Sequence, residues 1–186
     1  METKKCRICG QSKQIHLFEV DSRTKTKHTN RCKSCKHKID DKAARSYRRL
    51  RLRANKLGIP IEVTPREIRL LFNVFDGCCA YCSKRPEKAK NLHLEHIVAL
   101  SEGGRNTLQN LIPACNICNS KKGTKPIATH FIENREKFPD ENMAQVIDYI
   151  SFLSGNKKEE VAAEFADDHT LYLLKQARPA LEKEAK

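Results

Sequence analysis

The clearest amphipathic pattern in the chain begins at Thr64. Residues 64–67 (TPRE) combine a capping box with a proline at the first helical position. Apolar residues then recur at the spacing of one helix face: Ile68, Leu71, Phe72 and Phe75. The pattern predicts a helix from Thr64 to about Phe75, which Gly77 ends.

The C-terminal third predicts further helices. Residues 126–138 have a helical pattern that ends at Pro139. Residues 140–154 place apolar side chains on one face, a stripe most simply explained by core packing. Residues 155–186 turn partly helical after a polar start, and no chemistry is assigned to this tail.

Two apolar runs, residues 92–99 and 110–114, predict β-strands instead. Gly103 and Gly104 lie between them and allow a tight loop. A helix is expected over residues 116–121. If the two strands pair antiparallel, this helix packs across the hairpin.

Residues 38–57 predict a helix whose surface is mostly cationic. Two aspartates open it, and Gly58 before Pro60 stops it. Residues 1–60 hold 18 Lys/Arg against 5 Asp/Glu, whereas residues 61–186 hold 18 of each, so the net charge of +13 lies in the first third. A solvated charged surface would not explain this segregation, which favours a polyanionic partner. For the helix itself a solvated linker is the alternative, but the adjoining cysteine module is basic too, which favours contact with the DNA backbone. The expected DNA-backbone contacts are Arg45, Arg48, Arg49, Arg51 and Arg53.

The composition sets further expectations. Trp is absent and aromatic residues are few, so a single large core is not expected. No apolar run reaches the length of a membrane span. The first ten residues lack the apolar core of a secretory signal, so the protein is expected to stay in a reducing cytosol.

Eight of the nine cysteines form paired Cys-x-x-Cys knuckles, which predict two four-thiolate zinc sites. The first site combines Cys6 and Cys9 with Cys32 and Cys35, and the second combines Cys79 and Cys82 with Cys115 and Cys118. Disulfides are the alternative, which a reducing cytosol disfavours. Iron–sulfur binding is a further alternative, although paired knuckles favour zinc.

A second kind of metal site is expected beside the second zinc. Glu95 and His96 lie near the end of the first predicted strand, and Asn119 lies in the first turns of the helix that packs across the hairpin. Carboxylate and amide oxygens suit Mg²⁺ or Mn²⁺. The sequence therefore predicts a structural zinc and an exchangeable catalytic cation.

These motifs resemble the HNH endonuclease family of the ββα-metal class. The resemblance covers residues 78–126 and is carried by the following residues: Cys79/Cys82, Glu95-His96, Gly103-Gly104, Asn110-Leu111, Cys115/Cys118, Asn119 and Lys122-Gly123. The N-terminal cysteine module and basic helix are similar to modules that precede this domain in many phage nucleases.

The resemblance implies a role for each matched residue. His96 would be the general base that activates water, Glu95 and Asn119 would bind the catalytic cation, and Asn110 would brace the hairpin loop. Glu95 stands where Asp is commoner, and Asn119 stands where many members have His, which favours Mg²⁺ or Mn²⁺. For His93 two interpretations remain open. It either adds a metal ligand or phosphate contact, or it is simply a partly buried histidine.

Three cationic residues near this site are expected to hold the flanking phosphates: Arg105, Lys121 and Lys122. The expected products are a 5′-phosphate and a 3′-hydroxyl.

The expected fold is a small, zinc-stapled α+β protein. It comprises a zinc-ribbon-like module (1–37), a basic helix or linker (38–60), a ββα-metal nuclease domain (61–126) and a helical C-terminal region (127–186). The expected function is metal-dependent nicking of double-stranded DNA in phage DNA processing or packaging. Other phage DNA-processing proteins are implied partners, and the host cytoplasm is the implied location. The alternative is a non-catalytic, zinc-stapled DNA-binding protein.

Overall fold

The computed structural model describes residues 2–87 and 91–184 and has an α+β architecture. Its strands are short and pair two by two. The strands are β1 Thr3–Lys5, β2 Ser12–Gln14, β3 Phe18–Val20, β4 His28–Cys32, β5 Ile61–Glu62, β6 Leu92–His96, β7 Asn106–Thr107 and β8 Leu111–Cys115. The helices are α1 Lys33–Leu57, α2 Pro65–Val74, α3 Asn116–Lys122, α4 Ile127–Glu133, α5 Asp140–Ser154 and α6 Lys158–Glu184.

The N-terminal module consists of two antiparallel hairpins, β1–β2 and β3–β4. Strand β4 ends at Cys32, which is also the residue before helix α1. The second knuckle therefore spans the strand–helix junction, with Cys35 in the first turn of α1.

Helix α1 begins at Lys33, five residues before the predicted start. No glycine or proline interrupts residues 33–40, so the helix extends back to the zinc knuckle without the two aspartates as a cap. It ends as expected at Gly58, whose φ of 67° lies in the left-handed region.

Helix α1 also contributes to the core. Its apolar residues Ile39, Ala43, Leu50 and Ala54 are buried, and the helix packs against α2. One hydrophobic cluster runs from Cys6 to Phe165, contrary to the expectation that a single large core would not form. The few aromatic residues are concentrated in this cluster, where they pack with many aliphatic side chains.

Helix α2 confirms the local pattern. Thr64 Oγ1 accepts a hydrogen bond from Glu67 N at 3.3 Å, and Thr64 N donates to Glu67 Oε2 at 2.7 Å. Ile68, Leu71 and Phe72 are buried, and Gly77 follows with a φ of 70°.

Strands β6 and β8 pair antiparallel, from Leu92 with Cys115 to His96 with Leu111. Strand β6 ends three residues before the prediction, because Asn110 bonds the next backbone groups with its side chain. Gly104 is required in the connecting loop, since a Cβ there would lie 1.9 Å from the carbonyl oxygen of Val98.

The C-terminal helices close the core. Helix α4 stops at Glu133, earlier than predicted, because the Asn134 side chain donates to the His130 carbonyl at 2.9 Å. Helix α5 covers the predicted range, and Val161 and Phe165 of α6 are buried. Within the described ranges, no helix has the length and apolar character to span a membrane.

Candidate active site and metal centres

The structure gathers the cysteines into the two predicted sets. In each set the four sulfur atoms lie within 4.8 Å of one another. These are Cys6, Cys9, Cys32 and Cys35 in the first cluster and Cys79, Cys82, Cys115 and Cys118 in the second. Four thiolates at this spacing fit a tetrahedral zinc ion, with Zn–S bonds of about 2.3 Å.

The second cluster lies at the base of the β6–β8 hairpin. Cys79 and Cys82 follow α2, Cys115 ends β8, and Cys118 is in the first turn of α3. The hydrogen bond with the Cys118 thiol is the main influence that lowers the pKa of Cys79, to about 5. The same hydrogen bond raises the pKa of Cys118. The two thiols thus lie close enough to share one metal ion, which would require all four cysteines of the cluster as thiolates.

His96 is the last residue of β6 and is largely buried. Its Nε2 lies 2.9 Å from Oδ1 of Asn106. Burial lowers the pKa of His96, the Asn106 hydrogen bond opposes this, and the positive charges of Arg53 and Lys122 lower it further. His96 is consequently neutral at pH 7.

Asn106 is a site residue that the sequence analysis missed. It is completely buried in strand β7, and its Nδ2 donates to the carbonyl of Pro60 at 3.0 Å. The parallel pairing of β5 with β7 brings these two segments together. Two-residue strands leave no periodicity, and an asparagine after two glycines looks like an ordinary turn residue.

Asn110 organises the loop that follows His96. Its Oδ1 accepts from Val98 N at 2.8 Å, and its Nδ2 donates to the carbonyls of Val98 at 3.0 Å and Arg105 at 2.9 Å. One side chain thus ties the two ends of the β6–β7 connection together.

Glu95 forms a buried ion pair with Lys122. Lys122 Nζ lies 2.9 Å from Glu95 Oε1 and donates to the His96 carbonyl at 2.9 Å. The Lys122 side chain has no exposed surface, so it does not present its charge to DNA. The prediction that Lys122 holds a flanking phosphate is therefore wrong, because this lysine lies in the protein interior. Burial raises the pKa of Glu95, and the Lys122 charge opposes this.

Asn119 is half-buried on helix α3, three residues before Lys122. Residues at this spacing share a helix face, and Lys122 reaches Glu95 from that face. The chemistry of this donor set, one carboxylate and one amide oxygen, fits a hard divalent cation. Lys121, the neighbouring lysine, is exposed to solvent.

Helix α1 forms one wall beside His96. A pocket of about 110 Å³ lies between α1 and β6. Its lining residues are Lys42, Ser46, Arg49, Leu50, Arg53, His93, Leu94 and His96. His93 is partly buried there, and burial lowers its pKa, with smaller contributions from Lys42 and Arg49. The basic helix and the two histidines are thus neighbours.

The remaining predicted DNA contacts are all at the surface. Arg45, Arg48 and Arg51 are exposed on α1. Arg105 is exposed too, but its guanidinium pairs with Glu62 through contacts of 3.0 and 2.6 Å. Arg105 is thus partly engaged within the protein.

Residues 79–125 match the family model described as HNH endonuclease. This segment contains the second cysteine cluster, the β6–β8 hairpin and helix α3, so the fold and the match locate the same unit. This part of the chain is therefore similar to HNH endonuclease domains, and the match supports a phosphodiester-hydrolysing activity.

One curated relative is similar to part of the chain. Over 51 residues the chain is 41% identical to the CRISPR-associated endonuclease Cas9 of Corynebacterium diphtheriae. The match covers 27% of this chain and 5% of that protein. The likeness therefore concerns one segment of a much longer relative. No solved structure matches the chain.

Proposed function

We propose that this protein is a metal-dependent DNA endonuclease that nicks one strand and uses His96 as its general base. The arrangement of His96 is the observation that carries the proposal. In a neutral imidazole, Nε2–H donates a hydrogen bond to Oδ1 of Asn106, and these two atoms lie 2.9 Å apart. Nδ1 is then the ring nitrogen that can accept a proton. A neutral imidazole can deprotonate water near pH 7.

The proposed reaction follows from the bond that breaks. Water, losing a proton to His96 Nδ1, attacks the phosphorus atom. The bond from phosphorus to the 3′ oxygen breaks, and that oxygen takes up a proton from solvent. The products are a 5′-phosphate and a 3′-hydroxyl. Asn110 and Asn106 do not touch the reacting atoms in this scheme and act by positioning His96 and its loop.

Glu95 and Asn119 are the residues that would hold the divalent cation. Bound there, Mg²⁺ or Mn²⁺ would neutralise the negative charge that grows on the phosphate and the departing oxygen. Both residues offer oxygen donors, whereas the eight clustered cysteines suit zinc.

The charge distribution supports DNA as the substrate, since the first third of the chain carries the whole excess of +13. The described residues form one such site, which makes nicking the simplest outcome. The proposed setting is phage DNA processing or packaging in the host cytoplasm. It depends on the similarity of the N-terminal module to modules of phage nucleases, and the proposed protein partners depend on it too.

Nicking of supercoiled plasmid, with and without Mg²⁺ or Mn²⁺, tests the proposal. His96→Ala should lower the rate by about two or more orders of magnitude at unchanged DNA affinity. Glu95→Ala should also lose activity but recover partly at high Mn²⁺, because mass action refills a weakened site. A His96→Ala variant that nicks at the wild-type rate, with zinc content intact, would exclude His96 as the base, and His93 would be tested next.

The Glu95–Lys122 ion pair favours a second candidate, a zinc-stapled DNA-binding protein without catalysis. The carboxylate already has a cationic partner at 2.9 Å, so charge balance does not demand a divalent ion. DNA binding without nicking at any Mg²⁺ or Mn²⁺ concentration would support this candidate. Nicking that depends on the divalent ion and on His96 would exclude it.

A further inference from the structure

One stripe of helix α1 faces the strand that carries His96. Lys42, Ser46, Arg49 and Arg53 follow one another at intervals of four, three and four residues, which is the spacing of a single helix face. All four line the pocket of about 110 Å³ that also contains His93 and His96. The stripe and the two histidines therefore enclose the same small space.

The pocket has an excess of positive charge. Lys42, Arg49 and Arg53 line it, and within the part of the chain that the structure describes none of the three forms an ion pair. Lys42 is almost fully buried, and burial, together with the charges of Arg49 and Arg45, lowers its pKa to about 8. Cations held together without a carboxylate partner favour binding of an anion.

The two arginines differ from the other residues of the stripe. Both Arg49 and Arg53 are exposed, so they can reach a ligand that enters from solvent. Arg53 lies within electrostatic range of Glu95 and His96, and Arg49 within range of His93. A group bound by both guanidinium ions would therefore lie beside His96.

We propose that Arg49 and Arg53 bind the phosphate that is cleaved and hold it against His96, so that α1 forms a wall of the active site. The proposal rests on the endonuclease function above. Guanidinium ions suit this task because their planar donors match phosphate oxygens in pairs. The basic helix would then have two roles, since Arg48 and Arg51 lie on other faces and would contact DNA away from the reacting bond.

The test separates rate from affinity. Single-turnover nicking at saturating protein should fall by about 100-fold in Arg53→Ala, as for other lost charge-stabilising donors. Arg53→Lys should retain part of the rate, because it keeps the charge without the paired donors. Arg51 lies roughly 160° from Arg53 around the helix axis, so Arg51→Ala should weaken binding far more than it lowers the rate. Arg135→Ala, an exposed arginine of the C-terminal region, should change neither.

A second measurement does not depend on cleavage. A short DNA duplex, added without divalent ion, should shift the imidazole NMR signals of His96 in the wild type and Arg51→Ala but not in Arg53→Ala. If the wild type never nicks DNA but these shifts appear, the endonuclease proposal fails and the phosphate pocket stands. If Arg53→Ala and Arg51→Ala behave alike in rate and in these shifts, α1 is only a general DNA-binding surface and the inference is overturned.

Discussion

Nε2 of His96 lies 2.9 Å from Oδ1 of Asn106. The hydrogen bond made by the amide nitrogen of Asn106 determines which atom donates in this contact. The Pro60 carbonyl can only accept, so Asn106 must direct its NH₂ group toward Pro60, at 3.0 Å, and its oxygen toward the imidazole. A neutral His96 then carries its hydrogen on Nε2. The segment before α2 thereby selects the tautomer of a histidine on β6.

This relationship predicts that Asn106 acts through His96. Asn106→Ala should lower the nicking rate by about 10- to 100-fold, the usual effect of losing a residue that orients a functional histidine. In a His96→Ala background the same change should cost almost nothing more, because its target is already gone. Single-turnover rates of the wild type, the two single variants and the double variant give this comparison.

Asn142→Ala is the matched control for this cycle. Asn142 is also a buried asparagine with two hydrogen bonds, to Ser83 and the Tyr81 carbonyl, each at 2.7 Å. Its loss should lower the thermal midpoint but leave the nicking rate of the folded protein unchanged. Equal rate losses in Asn106→Ala and Asn142→Ala, or full additivity with His96→Ala, would show that Asn106 only stabilises the fold.

The Glu95–Lys122 ion pair predicts a strong energetic coupling. Lys122→Met leaves the Glu95 carboxylate buried without its partner and should lower the free energy of unfolding by roughly 3 kcal/mol or more. Glu95→Gln should also destabilise, because it isolates the buried ammonium. The double variant should recover much of the loss, since neither charge remains. Urea unfolding of the four proteins without divalent ion measures the coupling, and purely additive effects would contradict the ion pair.

Local patterns predicted much of the domain. The capping box at Thr64 and the apolar spacing behind it defined α2, because helix starts and faces are encoded within a few residues. The cysteine spacing similarly defined both clusters, since two residues between thiolates suffice to form each knuckle. Strands β6 and β8 were each placed to within three residues.

The misses share a physical cause, which is dependence on distant contacts. Lys122 looks like a surface cation until α3 packs on β6 and buries it against Glu95. The side-chain orientation of Asn106 depends on its hydrogen bond to Pro60, 46 positions earlier in the chain. No local signal reports that α1 packs beside His96, because the same arginine-rich pattern would serve a free helix in solvent.

The two cysteine clusters predict about two zinc ions per chain. Cys79→Ser should retain one zinc and lose the folded hairpin, because this small unit has little core to replace the metal. Cys78→Ser is the control, since the neighbouring Cys78 lies outside both clusters, and it should keep both ions. Elemental analysis and circular dichroism measure the two effects. A zinc-free wild type with almost no free thiols would instead indicate disulfides.

His130 predicts a pH dependence of stability that is separate from the candidate active site. Its side chain is fully buried, with its ring centroid 4.8 Å from that of Tyr81 and 5.2 Å from that of Phe138. Nε2 has no hydrogen-bond partner among the described residues. Burial, reinforced by Lys125 and Lys122, lowers the pKa of His130 from 6.5 to about 4.

The direction of the effect follows from proton binding. Between pH 6.5 and about 4 the unfolded chain takes up a proton at His130 and the native protein does not. The unfolded state therefore binds more protons, so the free energy of unfolding falls as the pH falls through this window. A shift of this size corresponds to roughly 3 kcal/mol over the full range.

His130→Phe removes this titration while keeping an aromatic ring against Tyr81 and Phe138. Urea unfolding of both proteins at several pH values gives the difference between their free energies of unfolding. Acid also weakens the zinc sites, but that loss is common to both proteins and cancels in the difference. Between pH 6.5 and 4 the wild type should lose roughly 3 kcal/mol more of its free energy of unfolding than His130→Phe does. If the two free energies of unfolding change with pH in parallel, native His130 takes up a proton as readily as the unfolded chain does. That result would contradict the lowered pKa expected of a buried ring whose Nε2 has no hydrogen-bond partner among the described residues.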